Sequence, residues 1–287
     1  MAKLNIKKMA KSQRIVFIVF FVINMLLVIS NLYVLVFGII QGLKSHTETV
    51  ISPFSLPTTW HWENYIDAFS MLEVKNTNFL GMMINSLWYA VGGTILNMLG
   101  TFCVTYIITK YEFPGSKILN FLAIFVIMVP MYGSSGATYK LIYNLGLNDS
   151  PLFLLTKIGS VVGPYLIMKA YLEGISWTYA EAAFIDGASD FRVMWQVIFP
   201  QLISPFMAIF IMHCITGWNE FSNPLLYLKN TPVVSVGLHL FYNDMQYKVR
   251  MDILYAASII AIIPIWIIYG AFNKTLLNLT FGGGIKG

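Results

Sequence analysis

The residues able to do chemistry in this chain are few, and they fall in a small number of places. Four histidines stand at 46, 61, 213 and 239, too scattered to build a metal site or a catalytic set at one face. Cys103 and Cys214 lie inside apolar runs with no C-x-x-C pair, and read as small buried hydrophobes. His213, also in an apolar run, reads as a packed, hydrogen-bonded core residue. No G-x-x-x-x-G-K-[ST] loop is present, and the one Gly-rich run, FGGGIKG, has no helix after it to offer a phosphate-binding N-terminus. The chain is therefore expected to bind no cofactor or metal and to be no enzyme. Two features remain. One is a polar stretch, YAEAAFIDGASDFRVMWQVIFP (179–200), carrying Glu181, Asp186, Asp190 and Arg192. The other is a single carboxylate, Glu220, set in apolar sequence beside Trp218 and Asn219.

The elements that must position these groups are dictated by composition. Of 287 residues 57% are hydrophobic and only 11% charged, against roughly a quarter charged in average soluble domains, and the mean hydropathy is +0.69. That is an all-α polytopic membrane protein. The net charge of +5 is no nucleic-acid signal, because Lys3, Lys7, Lys8, Lys11 and Arg14 crowd ahead of the first apolar run, as a cytoplasmic flank does. That run is too long for a signal-peptide core and has no small-residue cleavage site after it, so it reads as an uncleaved anchor.

A crossing helix needs about 20 mainly apolar residues. Residues 15–40, 81–109, 118–138 and 251–272 meet this, and 151–172 and 201–228 do so with polar interruptions, which gives six expected transmembrane helices. Polar groups deep in a span are costly, so the last two are expected to face protein or a wet cavity. The domain plan is a basic N-terminus (1–14), a six-helix domain (15–275) and a C-terminal tail (276–287). Both termini and the loop 173–200 are expected inside, and the loops 41–80 and 229–250 outside. Trp60, Trp62, Tyr65 and Phe69 make the first outside loop read as a surface-lying aromatic belt.

The polar stretch reads as two helices around a turn. Trp177 to Ile185 holds good helix formers, Gly187 stands where a helix ends in a left-handed residue, and Ser189 can cap a second helix, 190–199, that runs into Pro200 and the fifth span. Ala182 and Ala183 would let another backbone approach closely, and the three carboxylates would suit a basic partner. A solvated linker explains the same residues, and both readings stand at this point. Glu220 is likewise open: an intramembrane carboxylate can mark a solute pathway, with Trp218 and Asn219 lining it, or it can pair at the outer interface or between subunits.

The stretch Glu181 to Ser189 (EAAFIDGAS), followed by Ile198 and Pro200, resembles the EAA loop of ABC importer permeases, with Phe199 where that pattern has Leu. Asn64-Tyr65, Asn85-Ser86, Phe113-Pro114-Gly115, Leu145-Gly146-Leu147, Pro164, Trp218-Asn219-x-Phe221 and Ala256-Ala257-Ser258 extend the likeness over nearly the whole chain. The chain is similar to the second permease of maltose-type carbohydrate importers, although Ile175-Ser176-Trp177-Thr178-Tyr179 lacks the Pro and Glu usual before EAA. The resemblance implies a type I ABC importer permease fold in the bacterial cytoplasmic membrane, with the elbow as a cytoplasmic coupling helix. Glu181, Ala182, Ala183, Asp186 and Gly187 would meet a separate ATPase dimer, which holds ATP and Mg. A second permease subunit would complete a heterodimer. An external solute-binding protein would meet the 229–250 loop at Asn243, Asp244 and Gln246. The expected solute is an oligosaccharide. Rival readings are a permease for another solute class and a stand-alone secondary transporter, which would ask for inverted repeats and buried coupling-ion residues.

Overall fold

The computed structural model describes residues 10–129, 135–159, 164–244 and 250–282. The chain divides into two compact units. The first comprises residues up to Met71 together with Met245–Ile260, and the second comprises Leu72–Asp244 with Ala261 onward.

In the first unit α1 (Lys11–Gly42) is a 32-residue apolar helix, followed by short helices α2 (His46–Ile51) and α3 (Glu63–Met71). The end of α1 leaves carbonyls without helical partners, and the Asn64-Tyr65 pair takes them up. The buried Asn64 amide donates to the carbonyls of Gly42 (3.1 Å) and Lys44 (2.8 Å), and Tyr65 Oη donates to Ile39 (3.3 Å). The first half of α12 (Met251–Gly282) lies against this end, with Ala256 and Ala257 fully buried.

The second unit starts with a two-residue hairpin, β1 (Glu73–Val74) with β2 (Thr77–Asn78), turned by Lys75 and Asn76 at φ 47° and 65°, the geometry of a primed two-residue turn. Asn78 then caps α4 (Phe79–Lys110), which is continuous through a π-turn at Trp88–Gly92. After it come α5 (Ser116–Met128), α6 (Ser135–Asn144), a 3₁₀ segment Pro151–Lys157, α7 (Pro164–Gly174), α8 (Thr178–Ile185), α9 (Asp190–Asn219), α10 (Ser222–Tyr227) and α11 (Val234–Asp244).

Among the described residues four helices are long and apolar enough to cross a membrane: α1, α4, α9 and α12. They match the expected first, second, fifth and sixth spans, but the other two differ from the sequence expectation. In the 118–138 run α5 ends at Met128, where Val129 turns extended (φ −92°, ψ 109°), as the residue before a proline does, and α6 starts at Ser135. The 151–172 run opens as a 3₁₀ helix, and α7 is described from Pro164; Gly159 sits at φ 71°, where a helix cannot continue. The fifth span also ends early, at Asn219 rather than near 228, because Glu220 is extended (ψ 125°). The last helix instead continues through Gly282, into what was expected to be tail. Residues 283–287 of that tail lie outside the described residues.

Several of the short sequence matches turn out to be turn chemistry. Gly115 is left-handed (φ 100°) at the start of α5. Leu145-Gly146-Leu147 closes α6 with Gly146 at φ 66°, its N–H bonded to Tyr143 and that of Leu147 to Ile142, the paired bonds of a Schellman end. Asn85-Ser86 fastens the distant loop before α11. Asn85 Nδ2 donates to Pro232 O (3.0 Å), and the buried Ser86 hydroxyl accepts from the Val234 N–H (2.8 Å).

Gly42 is a point of close approach: a Cβ there would lie 3.0 Å from both the Ala256 nitrogen and Tyr65 Oη. Gly42→Ala is expected to cost about 1–3 kcal/mol through overpacking and to lower the Tm of the purified protein. An unchanged Tm would mean that the α1 and α12 backbones are not held together here.

Candidate functional site

The elbow is built by α8, a tight turn and the start of α9. The end of α8 is a complete Schellman motif. Asp186 is the C-cap and Gly187 is left-handed at φ 81°. The Gly187 N–H reaches Phe184 O (3.0 Å) and the Ala188 N–H reaches Ala183 O (2.9 Å). Ser189 is the N-cap of α9, its hydroxyl accepting from the Arg192 N–H (3.4 Å). Both helix ends fall where the sequence placed them.

Side chains pin this turn to its own unit. Ala180 is fully buried, and Trp177, Ala183, Phe184 and Ala188 pack on a core that includes Tyr106, Leu172, Val193 and Ile198. Lys110 Nζ donates to Ile175 O (2.6 Å) and Tyr111 Oη donates to Asp190 Oδ1 (2.7 Å). Burial, with the Asp190 carboxylate facing it, pushes the Tyr111 phenol well above its ordinary range, so the proton needed for this bond stays in place.

The five elbow residues singled out in the sequence therefore separate. Glu181, Ala182, Asp186 and Gly187 are exposed, and Ala183 turns half inward. Among the described residues the Glu181 carboxylate has no bonding partner, and the side-chain brace of the turn comes from Asp190. Exposed Tyr179, Ile185 (86%) and Phe191 (70%) surround them, an apolar rim that the sequence reading did not single out.

The second constellation sits at the other end of α9. Glu220 Oε2 accepts from Tyr89 Oη (2.8 Å) and pairs with Lys157 Nζ (3.2 Å), while Oε1 accepts from Asn223 Nδ2. The Lys157 ammonium lies 5.1 Å from the centre of the Tyr89 ring, within cation–π range, and its carbonyl accepts from Asn97 Nδ2 (3.1 Å). Ser235 Oγ donates to the Glu220 carbonyl (2.7 Å). Tyr89, Asn97, Lys157 and Glu220 wall a cavity of about 160 Å³ together with His213 and Thr216. A salt bridge about three-quarters buried is supported here by donors on both carboxylate oxygens, two on Oε2 and one on Oε1.

Helix periodicity explains the lining. His213, Thr216, Gly217 and Glu220 recur at i, i+3, i+4 and i+7, one face of α9. Trp218 stands two positions from Glu220, about 200° around the helix, and so cannot share that face. It is buried, and its indole N–H donates to Ala261 O (3.2 Å), so it does not line this cavity. Asn219 is exposed and bonds back to Ile215 O (2.9 Å). His213 lines the cavity, contrary to its reading as a packed core residue. Of the three pathway candidates only Glu220 reaches the cavity, and its partners Tyr89 and Lys157 come from distant segments. In the 229–250 loop, Asn243 donates to the His239 carbonyl (2.9 Å), Asp244 is the last residue of α11, and Gln246 lies outside the described residues.

Long lipid-compatible helices, an elbow clamped on one end of a spanning helix and a polar cavity at the other define a multi-pass membrane transport subunit. Comparison with known proteins agrees. The model of the family "Binding-protein-dependent transport system inner membrane component" matches residues 5–278, and the chain belongs to that family. It is 26% identical to the diacetylchitobiose uptake system permease protein of Streptomyces coelicolor over 92% of this chain and 85% of that one. It is 25% identical to the arabinooligosaccharides transport system permease protein of Bacillus subtilis over 96% of each. Its fold matches a chain in the crystal structure of a bacterial ABC transporter involved in the import of the acidic polysaccharide alginate. The TM-score is 0.79 at 21% identity, covering 93% of this chain and 98% of that one. This chain is thus a permease of a binding-protein-dependent ABC importer, with the type I fold.

The Lys157–Glu220 pair is testable by a double-mutant cycle on Tm. Lys157→Met and Glu220→Gln are each expected to cost about 1–2 kcal/mol, discounted for partial exposure, with the double variant less costly than their sum by about 1 kcal/mol. Strict additivity would mean that the two charges do not act as a pair.

Proposed function

We propose that this subunit passes an oligosaccharide across the bacterial cytoplasmic membrane, with both termini and the elbow on the cytoplasmic side. In this reading a second permease subunit completes the pathway. A separate ATPase dimer, holding ATP and Mg, docks on Glu181, Ala182, Ala183, Asp186 and Gly187. An external solute-binding protein delivers the solute at the loop carrying Asn243, Asp244 and Gln246.

One observation carries the reading. The elbow and the cavity are the two ends of a single rod, since α9 runs 30 residues without a break from Asp190 to Asn219, about 45 Å at the usual rise. Displacement of the elbow by a closing ATPase pair would be delivered to Glu220. The exposed carboxylate of Glu181 and the apolar rim of Ile185 and Phe191 suit a partner groove with a basic wall. The amide, hydroxyl and imidazole groups of Asn97, Thr216 and His213 around the cavity suit a solute rich in hydroxyls, and the named relatives carry chito- and arabino-oligosaccharides.

The test is co-purification in mild detergent with the neighbouring subunits expressed together. Glu181→Lys is expected to weaken ATPase capture about tenfold or more through like-charge contact, while retaining the second permease and an unchanged elution volume. Undiminished ATPase capture would sink the elbow as the coupling surface.

A further inference from the structure

The segment that follows α1 is folded in a way transport does not explain. From His46 to Trp62 it exposes Val50, Ile51 (76%), Phe54 (83%), Leu56 (69%), Trp60 and Trp62, a run of large apolar side chains that solvating water would disfavour. Its depth is fixed by two ties to α1. The His61 N–H donates to the Leu43 carbonyl (2.9 Å), which sets the Trp60–Trp62 pair, stacked at 6.3 Å with rings 18° apart, level with the end of the spanning helix. Phe54 lies against Phe37 with ring centres 5.9 Å apart, and Phe37 is five residues before Gly42, about 7.5 Å back along the helix. The chain thus emerges from α1, turns through α2 and dips back beside α1 into the depth that α1 itself occupies.

Backbone at that depth needs internal partners, because lipid offers none. The structure supplies them with two side chains that are otherwise costly to bury. Lys44 is fully buried and its ammonium donates to the carbonyls of Ser52 and Pro53 (2.9 Å each). Gln41, equally buried, donates to Pro53 O. The carbonyls just ahead of Phe54 are thereby satisfied while the Phe54 ring is left bare. α2 is closed by a full capping box from Ser45 and Glu48, and Glu48 also accepts from the Thr58 N–H (3.1 Å), so the dip is a fixed shape rather than a loose loop.

The structure assigns residues 46–62 as an interfacial foot whose partner is the lipid of the leaflet at the C-terminal end of α1, with Phe54 and Leu56 inserted among the acyl chains and Trp60 and Trp62 at the headgroup boundary. The segment continues the exposed apolar surface of α1, a helix long and apolar enough to cross a membrane with its span unburied by the rest of the described chain, and this favours lipid over a protein partner. The inference holds whatever solute the subunit carries.

The test places a nitroxide at position 54, and separately at 56, in the full chain with Cys103→Ala and Cys214→Ala, reconstituted in lipid nanodiscs. The same label at Ile29, exposed on α1, is the lipid reference. The foot predicts oxygen collision at the level of the Ile29 label and loss of collision with a water-soluble nickel chelate at both positions. Chelate access at 54 and 56 would place the segment in water and overturn the proposal. Exclusion of both reagents would mean that protein covers it, which overturns it equally. A label at Trp62 keeps the test alive if Phe54→Cys fails to elute as a monodisperse species, and is expected to show intermediate access to both reagents.

Discussion

A polar group solvated by lipid has to find its partners inside the protein, and the architecture of this chain follows from where it does so. Glu220 is the sharpest instance. A lone carboxylate among apolar helices would be prohibitively costly, so the end of α9 is drawn to Lys157 from the 3₁₀ segment, Tyr89 from α4 and Asn223 from α10. Four separate stretches are thereby gathered around one side chain, and three of them, α4, the 3₁₀ segment and the end of α9, wall the cavity. The same demand closes the ends of elements elsewhere. Asn64 answers the last carbonyls of α1, and Asn85 and Ser86 answer the loop before α11.

The irregularities of the long helices fit this picture. A π-turn at Val193–Ile198 lies directly ahead of Pro200, and an extra residue in the turn is one way to accommodate a ring that lacks an N–H and crowds the preceding carbonyl. Another π-turn, at Trp88–Gly92, sits where α4 brings Tyr89 to the cavity, and Gly217 of α9 packs on Ala90 beside it, with room for a Cβ only 3.3 Å from the Ala90 Cα. Helix distortion and close packing thus coincide with the residues that hold Glu220.

Local chemistry was legible in the sequence, and long-range pairing was not. The elbow could be read because each of its parts is set within a few residues: a helix-forming run, a glycine that must be left-handed, a serine that caps. That α1, α4, α9 and α12 are long apolar helices followed from apolar length, although α9 stops at Asn219 and α12 runs on to Gly282. The cavity could not be read in the same way, because Lys157 and Tyr89 stand 63 and 131 positions from Glu220 and no pattern in one sequence joins them. Trp218 falls outside the cavity for a simpler reason. Proximity in sequence suggested that it shared a surface with Glu220, whereas the 3.6-residue period puts residues two apart on nearly opposite faces. The spacing of His213, Thr216 and Glu220 held the right signal. The 118–138 run reads as a single span when apolar length is counted without weighing Pro130, and the 151–172 run reads as a weaker one despite Gly159 and Pro164 inside it.

The two ends of α9 are held by interactions of unequal strength, and that inequality sets what the rod can do. At the elbow, Ala180, Val193 and Ile198 are fully buried with Leu202 nearly so, and lifting them apart would expose side chains worth about 1.5–3 kcal/mol each for the larger ones. At the cavity, the ion pair is one-quarter exposed, and water entering as it opens would rehydrate both charges, so its net worth lies nearer the roughly 0–1 kcal/mol of accessible pairs than that of sealed ones. A push on the elbow therefore moves α9 together with its own core, and the contact that yields is the one between Glu220 and Lys157. Strength at the elbow and weakness at the end that lines the cavity is the arrangement that the proposed role of a transmitting helix requires.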